Sequence, residues 1–382
     1  MSIAPFNLER FYARYEFEVP YIMCSSDPES FSIEELLSFE LGSIDEFKKH
    51  WLGYTETKGN PKLRSEITKL YKDIKEENII VHAGAEEVIF VFMNSMINPD
   101  DHVIVHFPNY QSLEEIARFK GAEITRWETK EENDWGLDTE FLKKAIKKNT
   151  RCIIINFPHN PTGYLPNKEK LNEIIEIARK HNIYIFSDEV YRFLEYDNND
   201  RLPAICDLYE NGVSVGVMSK AFALPGLRIG WVATRNKEVL EKMAIFKDYT
   251  TICSSAPSEY LAIIGLKNKE KILKRNLGII SENLIKLNEF FNRHKPLFNW
   301  KKPKAGTIAF PSIKKEINIE DFCLDLINKK GLMLLPCTKY NFGTKNFRIG
   351  FGRKNLPLCL NKLEEYLVTS SNFISRIRPY FI

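Results

Sequence analysis

Ser219-Lys220-Ala221-Phe222-Ala223-Leu224-Pro225-Gly226-Leu227-Arg228-Ile229-Gly230-Trp231 is the stretch on which the reading of this chain turns. It continues an apolar run, residues 214–219, that reads as a buried strand, and it opens a second run, 228–234. The Pro- and Gly-containing turn between them leaves Lys220 at the edge of a sheet. Eight residues further on stands Arg228, whose guanidinium can pair bidentately with a phosphate. Ligands of open α/β sheets gather at the carboxyl ends of the strands. A lysine alone is normally a solvated surface residue, so the weight of this motif depends on what else reaches the same edge.

Working outward, residues 78–82, 102–107, 152–156 and 183–187 are further β-branched or apolar runs of strand length. Segments 86–97, 113–119, 139–147 and 168–181 lie between them and space their apolar residues near the helical period. This alternation predicts an α/β fold, a mostly parallel sheet flanked by helices. Beyond residue 257 the pattern changes to long charged helices, to about residue 292, and then to short strands and helices. The expected division is a large domain, 46–270, and a smaller α+β domain built from 1–45 and 271–382. The first 45 residues fit no βαβ unit and are expected to pack on the C-terminal part; the tail 370–382 reads as a packed extension.

Composition narrows the class. At 382 residues and 44% hydrophobic content the chain can bury two cores. With 54 Lys and Arg against 51 Asp and Glu, the net charge of +3 gives no electrostatic case for nucleic acid. Small molecules are the expected partners. The seven scattered cysteines form no CxxC pair and read as reduced thiols of a cytoplasmic protein. The start lacks a basic segment followed by an apolar one, so no export signal is read there. The most apolar stretch, 79–97, is interrupted by His82, Glu86, Glu87 and Asn94, which argues against a membrane span.

Four more segments end strands at that edge. Phe186-Ser187-Asp188-Glu189-Val190-Tyr191 brings an aspartate able to hold a ring nitrogen protonated, with a tyrosine three residues on. Asn156-Phe157-Pro158-His159-Asn160-Pro161-Thr162-Gly163 is a turn stiffened by two prolines, which suits Asn160 as a fixed amide donor. His82-Ala83-Gly84-Ala85-Glu86-Glu87 passes from strand to helix, where free backbone N–H groups bind phosphate. The acidic Glu86 and Glu87 are expected to point away from such an anion. Phe107-Pro108-Asn109-Tyr110-Gln111 offers Tyr110 as a ring platform. Near the C-terminus, Asn346-Phe347-Arg348-Ile349-Gly350-Phe351-Gly352 places an arginine in an apolar strand, where it needs an anionic partner such as a substrate carboxylate.

An amine, a phosphate cradle, an anion for a ring nitrogen, a phenol-oxygen donor and a stacking ring are together what pyridoxal 5′-phosphate (PLP) asks of a protein. In this order the segments resemble fold type I PLP enzymes, specifically the class I/II aminotransferases, over nearly the whole chain. The resemblance implies that Lys220 forms a Schiff base with PLP and shuttles the proton in a ping-pong exchange of an amino group between an amino acid and a 2-oxo acid. It implies Arg228 at the phosphate with Gly84, Ala85 and the backbone of Glu86, and Asp188 at the pyridine nitrogen. Tyr191 and Asn160 would face the phenolic oxygen, Tyr110 would stack on the ring, and Arg348, aided by Asn160, would hold the substrate carboxylate.

The stretch Tyr54-Thr55-Glu56-Thr57-Lys58-Gly59-Asn60-Pro61 matches the segment that in this family reaches the neighbouring subunit's phosphate, which implies a homodimer. Three positions depart from the pattern. Val217 stands where a phosphate-binding serine is common, with Ser219 as a substitute donor; Glu86 replaces a hydroxyl or amide side chain; and Ser25-Ser26-Asp27-Pro28 replaces a glycine-containing loop. Residues 156–163 and 108–113 are also similar to capreomycidine synthases, PLP cyclases acting on hydroxylated arginine, which leaves cyclisation or elimination as the alternative reaction. A PLP-sensing regulator would need a DNA-binding module, and residues 1–45 are too short and too weakly basic to supply one. Residues 248–255 are the candidate lining of the side-chain pocket.

Overall fold

The computed structural model describes residues 2–369; the expected extension at 370–382 lies outside the described residues. Seven strands form the central sheet: β1 (Ile79–His82), β2 (His102–Phe107), β3 (Glu123–Glu128), β4 (Thr150–Asn156), β5 (Tyr184–Asp188), β6 (Gly212–Val217) and β7 (Gly230–Ala233). Their spatial order is β1-β7-β6-β5-β4-β2-β3. All neighbours pair in parallel except β7, which runs antiparallel to both β1 and β6. The expected α/β class with a mostly parallel sheet is therefore the fold found.

The strands are there because their side chains have nowhere else to go. Every residue of β1, β2, β5, β6 and β7 is buried, as befits a sheet covered on both faces by helices. β3 was absent from the sequence reading, and its burial explains why: as the edge strand Glu-Ile-Thr-Arg-Trp-Glu it buries only Trp127. Polar side chains belong on such an edge, and they erase the apolar signature. Short side chains close the helix ends. Asn167 accepts from the Lys170 N–H, Asp138 from Glu140 and Asn236 from Val239, caps that each contribute about 1 kcal/mol.

Two features of the topology position the site. The strand order reverses at β2, which lies between β3 and β4, so the loops after β2 and β4 diverge and leave a crevice. The antiparallel β7 enters the sheet from the edge at which β6 leaves it, with Val217 paired to Gly230. The turn between them therefore holds both Lys220 and Arg228 at the carboxyl edge of the parallel strands.

Helices Ala256–Lys267 and Lys269–Arg293 lead away from the sheet to the C-terminal elements. There Phe347–Gly350 pairs antiparallel with Ile308–Ala309 and Leu335–Pro336. Part of the chain's first segment pairs here: Tyr21–Ile22 runs parallel to Leu332–Met333. Among the described residues no helix is long and apolar enough to cross a membrane.

Candidate active site

A cavity of about 470 Å³ opens at the carboxyl edge of the sheet. Its floor is made of strand ends. Asp188, the last residue of β5, is 6% exposed. Its Oδ1 accepts the Val190 N–H at 3.2 Å, and its carbonyl oxygen accepts from Asn156 Nδ2 at 2.8 Å, which ties β5 to β4. Burial pushes the carboxyl up to about 7, against the pull of its own turn's N–H and of Lys220. An aspartate so desolvated is stabilised as an anion when a cation sits against it.

Lys220 follows β6 and extends into the same cavity. Its Nζ donates to Ser26 Oγ at 2.8 Å. Burial lowers its pKa from the ordinary lysine value, with Asp27 opposing and Arg348 reinforcing the shift. A larger fraction of this amine is therefore unprotonated, the form that attacks an aldehyde or accepts a proton.

Around these two stand the other expected residues. Tyr191, 1% exposed, lines the cavity with a hydroxyl that finds no partner, and Ser219 Oγ is likewise unpartnered. Asn160 Oδ1 accepts from Tyr340 Oη at 3.0 Å and from Arg348 Nη1 at 3.3 Å, which leaves its amide N–H groups for the cavity. Asn160 itself is placed by a bond from its backbone N–H to Asn156 Oδ1 at 2.7 Å. Tyr110 is held against Phe6, ring centroids 4.9 Å apart, and donates to Glu9 at 2.8 Å.

The phosphate cradle expected from the sequence has its parts together. The helix Ala85–Met96 begins at the cavity, and Gly84 caps it at φ +86°. A Cβ at Gly84 would stand 2.5 Å from Arg228 Nη2, so only glycine lets the guanidinium close over the helix start. Arg228 Nη1 makes a 3.2 Å bond to the Pro225 carbonyl. Glu86 corrects the sequence reading. Its side chain does not point away but lines the cavity, where burial lifts it to about 7 against a 3.0 Å bond from Ser112 Oγ. A helix start whose acid holds its proton up to about pH 7 repels an anion less than the sequence suggested. Glu87 does turn aside, accepting from the Ala83 N–H and from Thr250 and Thr251.

The roof comes from the two ends of the chain. Arg348 is 2% exposed and spends its N–H groups on neutral acceptors: the Cys24 carbonyl, Asn160, and the hydroxyls of Tyr12 and Tyr340 at 2.7 Å each. None of these is an anion, and a buried guanidinium without one costs several kcal/mol. Arg353, by contrast, is matched to both carboxylate oxygens of Asp27 at 3.1 and 3.0 Å. Gly350 makes the roof possible: a Cβ there would fall 1.8 Å from the Ser25 carbonyl oxygen. Sequence reasoning missed Tyr12, Ser26, Asp27, Tyr340 and Arg353. The one local signal was the burial of Leu8, Phe11 and Tyr12 along one face of the Asn7–Tyr15 helix.

One expectation falls elsewhere, and one lies outside this cavity by its nature. Tyr54, expected at a neighbouring subunit's site, is 86% exposed on the outside of the chain and does not line its own cavity. Residues 248–255 do not line it either. They lie against Glu87 and Thr55, through Thr250, Thr251 and the Ser254 carbonyl.

The donor set fits PLP. It offers an amine, a buried carboxyl awaiting a cation, two unpartnered hydroxyls, and a guanidinium closed over a helix start by a glycine that tolerates no side chain. Comparison with known proteins agrees. Residues 43–356 match the family described as aminotransferase class I and II. The aspartate aminotransferase of Pyrococcus horikoshii is 30% identical, with 83% of each chain covered. The capreomycidine synthase of Streptomyces vinaceus is 25% identical, over 81% of this chain and 80% of its own. Among solved structures, a PLP-dependent aminotransferase from Streptococcus suis superposes with a TM-score of 0.91 at 33% identity, covering 96% of this chain and 98% of that one.

Proposed function

Because this chain belongs to the class I and II aminotransferases and is a PLP-dependent enzyme, we propose that it exchanges an amino group between an amino acid and a 2-oxo acid in two half-reactions at one site. The observation that carries this reading is the convergence of Lys220, Asp188 and Arg348 on a single cavity from three distant segments. When bound, PLP supplies an aldehyde that joins amines covalently and a pyridine ring that takes up the electron pair left at the substrate Cα. Lys220 would anchor the aldehyde. Asp188 would hold the ring nitrogen as a cation, and Tyr191 with Asn160 would donate to the phenolic oxygen. Arg228, Ser219 and the N–H groups of Ala85 and Glu86 would bind the phosphate, with Tyr110 against the ring.

The rest is work for the chain's own groups. Arg348 binds the substrate α-carboxylate, exchanging one or more neutral acceptors for an anion. Lys220 Nζ, its pKa lowered by burial, takes the Cα proton. The N-terminal segment over the cavity limits water, so the proton stays on that amine. The amino acid and the 2-oxo acid occupy this one site in turn, the first product leaving before the second substrate enters, and the kinetics are therefore ping-pong. Purified protein given an amino donor and a 2-oxo acid should show parallel double-reciprocal lines and form the donor's oxo acid. Intersecting lines, or no oxo acid from any donor, would sink the reading.

A cyclase reading rests on the likeness to capreomycidine synthase. It uses the same Lys220 and Asp188, and it predicts a cyclic or eliminated product with no transfer of the amino group to an added 2-oxo acid. We further infer a homodimer. Trp51, Leu52 and Tyr54 are 76–86% exposed, and Thr55 Oγ1 donates to the Ser254 carbonyl at 3.2 Å, which brings exposed Tyr249 and Ile252 beside them. An apolar patch of this kind favours burial against a second copy, and from it Tyr54 would reach the partner's phosphate site. Light scattering at the monomer mass would refute this.

A further inference from the structure

The cavity is bipolar on its substrate side. On the roof, Arg348 is a buried cation without an anion. Facing it across the same roof, the Asn7–Tyr15 helix and the residue after it turn Glu9, Tyr12 and Glu16 into the cavity. These positions are three and four residues apart, so one helical face carries both carboxylates with the Arg348-bonded Tyr12 between them. Among the described residues Glu9 accepts only the neutral Tyr110 hydroxyl, at 2.8 Å. Among them Glu16 makes no hydrogen bond or salt bridge, and the charge of Arg353 acts on it from further off.

The remaining charges offset these two only in part: Arg353 and Lys220 act on Glu16 without an ion pair to it. Arg353 is matched by Asp27, two bonds at 3.0 and 3.1 Å. Lys220 and Arg228 belong to the cofactor side in the reading above. An independent sign that this end awaits a ligand is Ser25, 5% exposed and lining the cavity, whose Oγ has no partner. With Arg348 assigned to the α-carboxylate, the substrate's side chain meets two carboxylates and no unmatched cation. A side-chain carboxylate there would add a third negative charge, and a side-chain ammonium or guanidinium would be compensated.

We propose that the amino donor carries a cationic side chain, with Glu9 and Glu16 as the groups that select it. This rests on the proposed placement of the α-carboxylate at Arg348, and it runs against an acidic donor of the aspartate kind. Both glutamates are half-buried, so solvent screens them in part, and the expected discrimination is about tenfold rather than a thousandfold.

The test is a pair of measurements on the PLP-loaded protein: binding by calorimetry, and oxo-acid formation, each with L-lysine, L-ornithine, L-arginine, L-norleucine, L-glutamate and L-aspartate. Norleucine is lysine without its charge. Lysine, ornithine or arginine should bind about tenfold or more tightly than norleucine, with glutamate and aspartate weakest. Raising the salt should shrink that gap. The double variant Glu9→Gln/Glu16→Gln should bring lysine down to norleucine, so that the ratio of their affinities falls to about one. If it folds poorly, Glu16→Gln alone should lose part of the preference.

Glutamate or norleucine binding as well as the cationic amino acids, or a preference that survives the double variant, overturns the assignment. The two readings fail separately. Cationic preference in binding with no oxo acid formed would sink transamination and leave the charge selection standing. Oxo acid from glutamate but not from lysine would do the reverse, and no binding by any of the six would sink the charge selection alone.

Discussion

The floor and the roof of the cavity are built in opposite ways. Every floor residue sits within a few positions of a strand end: Gly84 after β1, Tyr110 after β2, Asn160 after β4, Asp188 on β5, Lys220 after β6 and Arg228 before β7. The register of one sheet fixes them all. The roof joins residues that are far apart in the chain: Arg348 reaches the Cys24 carbonyl 324 positions away, and Lys220 reaches Ser26 across 194. Its geometry depends on the pairing of Tyr21–Ile22 with Leu332–Met333 and on a 2.8 Å bond from the Gly350 N–H to the Met23 carbonyl. On the reading above, the covalent chemistry rests on the sheet edge, and substrate recognition rests on the contact between the chain's two ends.

If that division holds, substitutions on the floor depress turnover and substitutions on the roof depress substrate binding. The largest effect is expected from Lys220→Ala, which removes the amine that carries the proton. kcat should fall by roughly 10²–10⁴-fold, with circular dichroism unchanged; turnover within a few-fold of the parent would remove Lys220 from the chemistry. Asp188→Asn should cost about 10²-fold in kcat, the scale of losing one preorganised electrostatic partner, and it should leave KM nearly unchanged. On the roof, Arg348→Lys keeps the charge and loses the fork. KM should rise about 10–100-fold, the equivalent of about 1.5–3 kcal/mol for charged hydrogen bonds, with kcat much less affected. A kcat loss as large as that of Asp188→Asn would erase the division between the regions.

A smaller effect separates the two parts of the roof. Gly350→Ala pushes a methyl group into the Ser25 carbonyl, so the 25–27 segment must move while Arg348 keeps its strand. Such overpacking costs about 1–3 kcal/mol of stability. Loss of the Ser26 bond to Lys220 should also appear as a shifted pH profile of kcat, and Ser26→Ala should reproduce that shift without the stability loss. An unshifted profile in both variants would show that Ser26 does not position the amine.

The same contrast decides what could be read from the sequence. Strand-end motifs are local, and burial on both faces makes strands such as β2 and β6 continuous apolar runs, so the α/β order and the arrival of Lys220, Asp188, Asn160, Tyr110 and Arg228 at one edge were legible. β3 escaped because an edge strand keeps its charges. The antiparallel course of β7 left no mark on its composition, although it is what returns Arg228 to the edge. Roof residues other than Arg348 were invisible, since nothing near Tyr12 or Ser26 announces a partner more than 190 positions away. Glu86 was misread for a related reason: its direction is set by Ser112 from the next helix, not by its own first turn.

The smallest expected effect is a pH dependence of stability, and it too should divide floor from roof. In the unfolded chain Asp188 titrates near its ordinary value of 3.8, and in the folded protein without PLP burial raises it to about 7. Between those values the folded state holds a proton that the unfolded state has released, so this contribution is fully present at low pH and is lost as pH rises through 7. Glu86 acts in the same sense, from 4.5 to about 7. The PLP-free protein should therefore lose stability between about pH 4 and 7 and level off above that, by about 1–2 kcal/mol for Asp188 once water penetration is allowed for. Asp188→Asn should flatten the curve of Tm against pH. Burial also raises Glu16 on the roof, but solvent reaches it, so Glu16→Gln should change the slope less. Adding PLP should abolish the Asp188 component, because a ring cation against the carboxylate keeps it ionised across the range. A slope that persists in Asp188→Asn, or one that PLP leaves untouched, would mean that the buried carboxyl does not face the ring nitrogen.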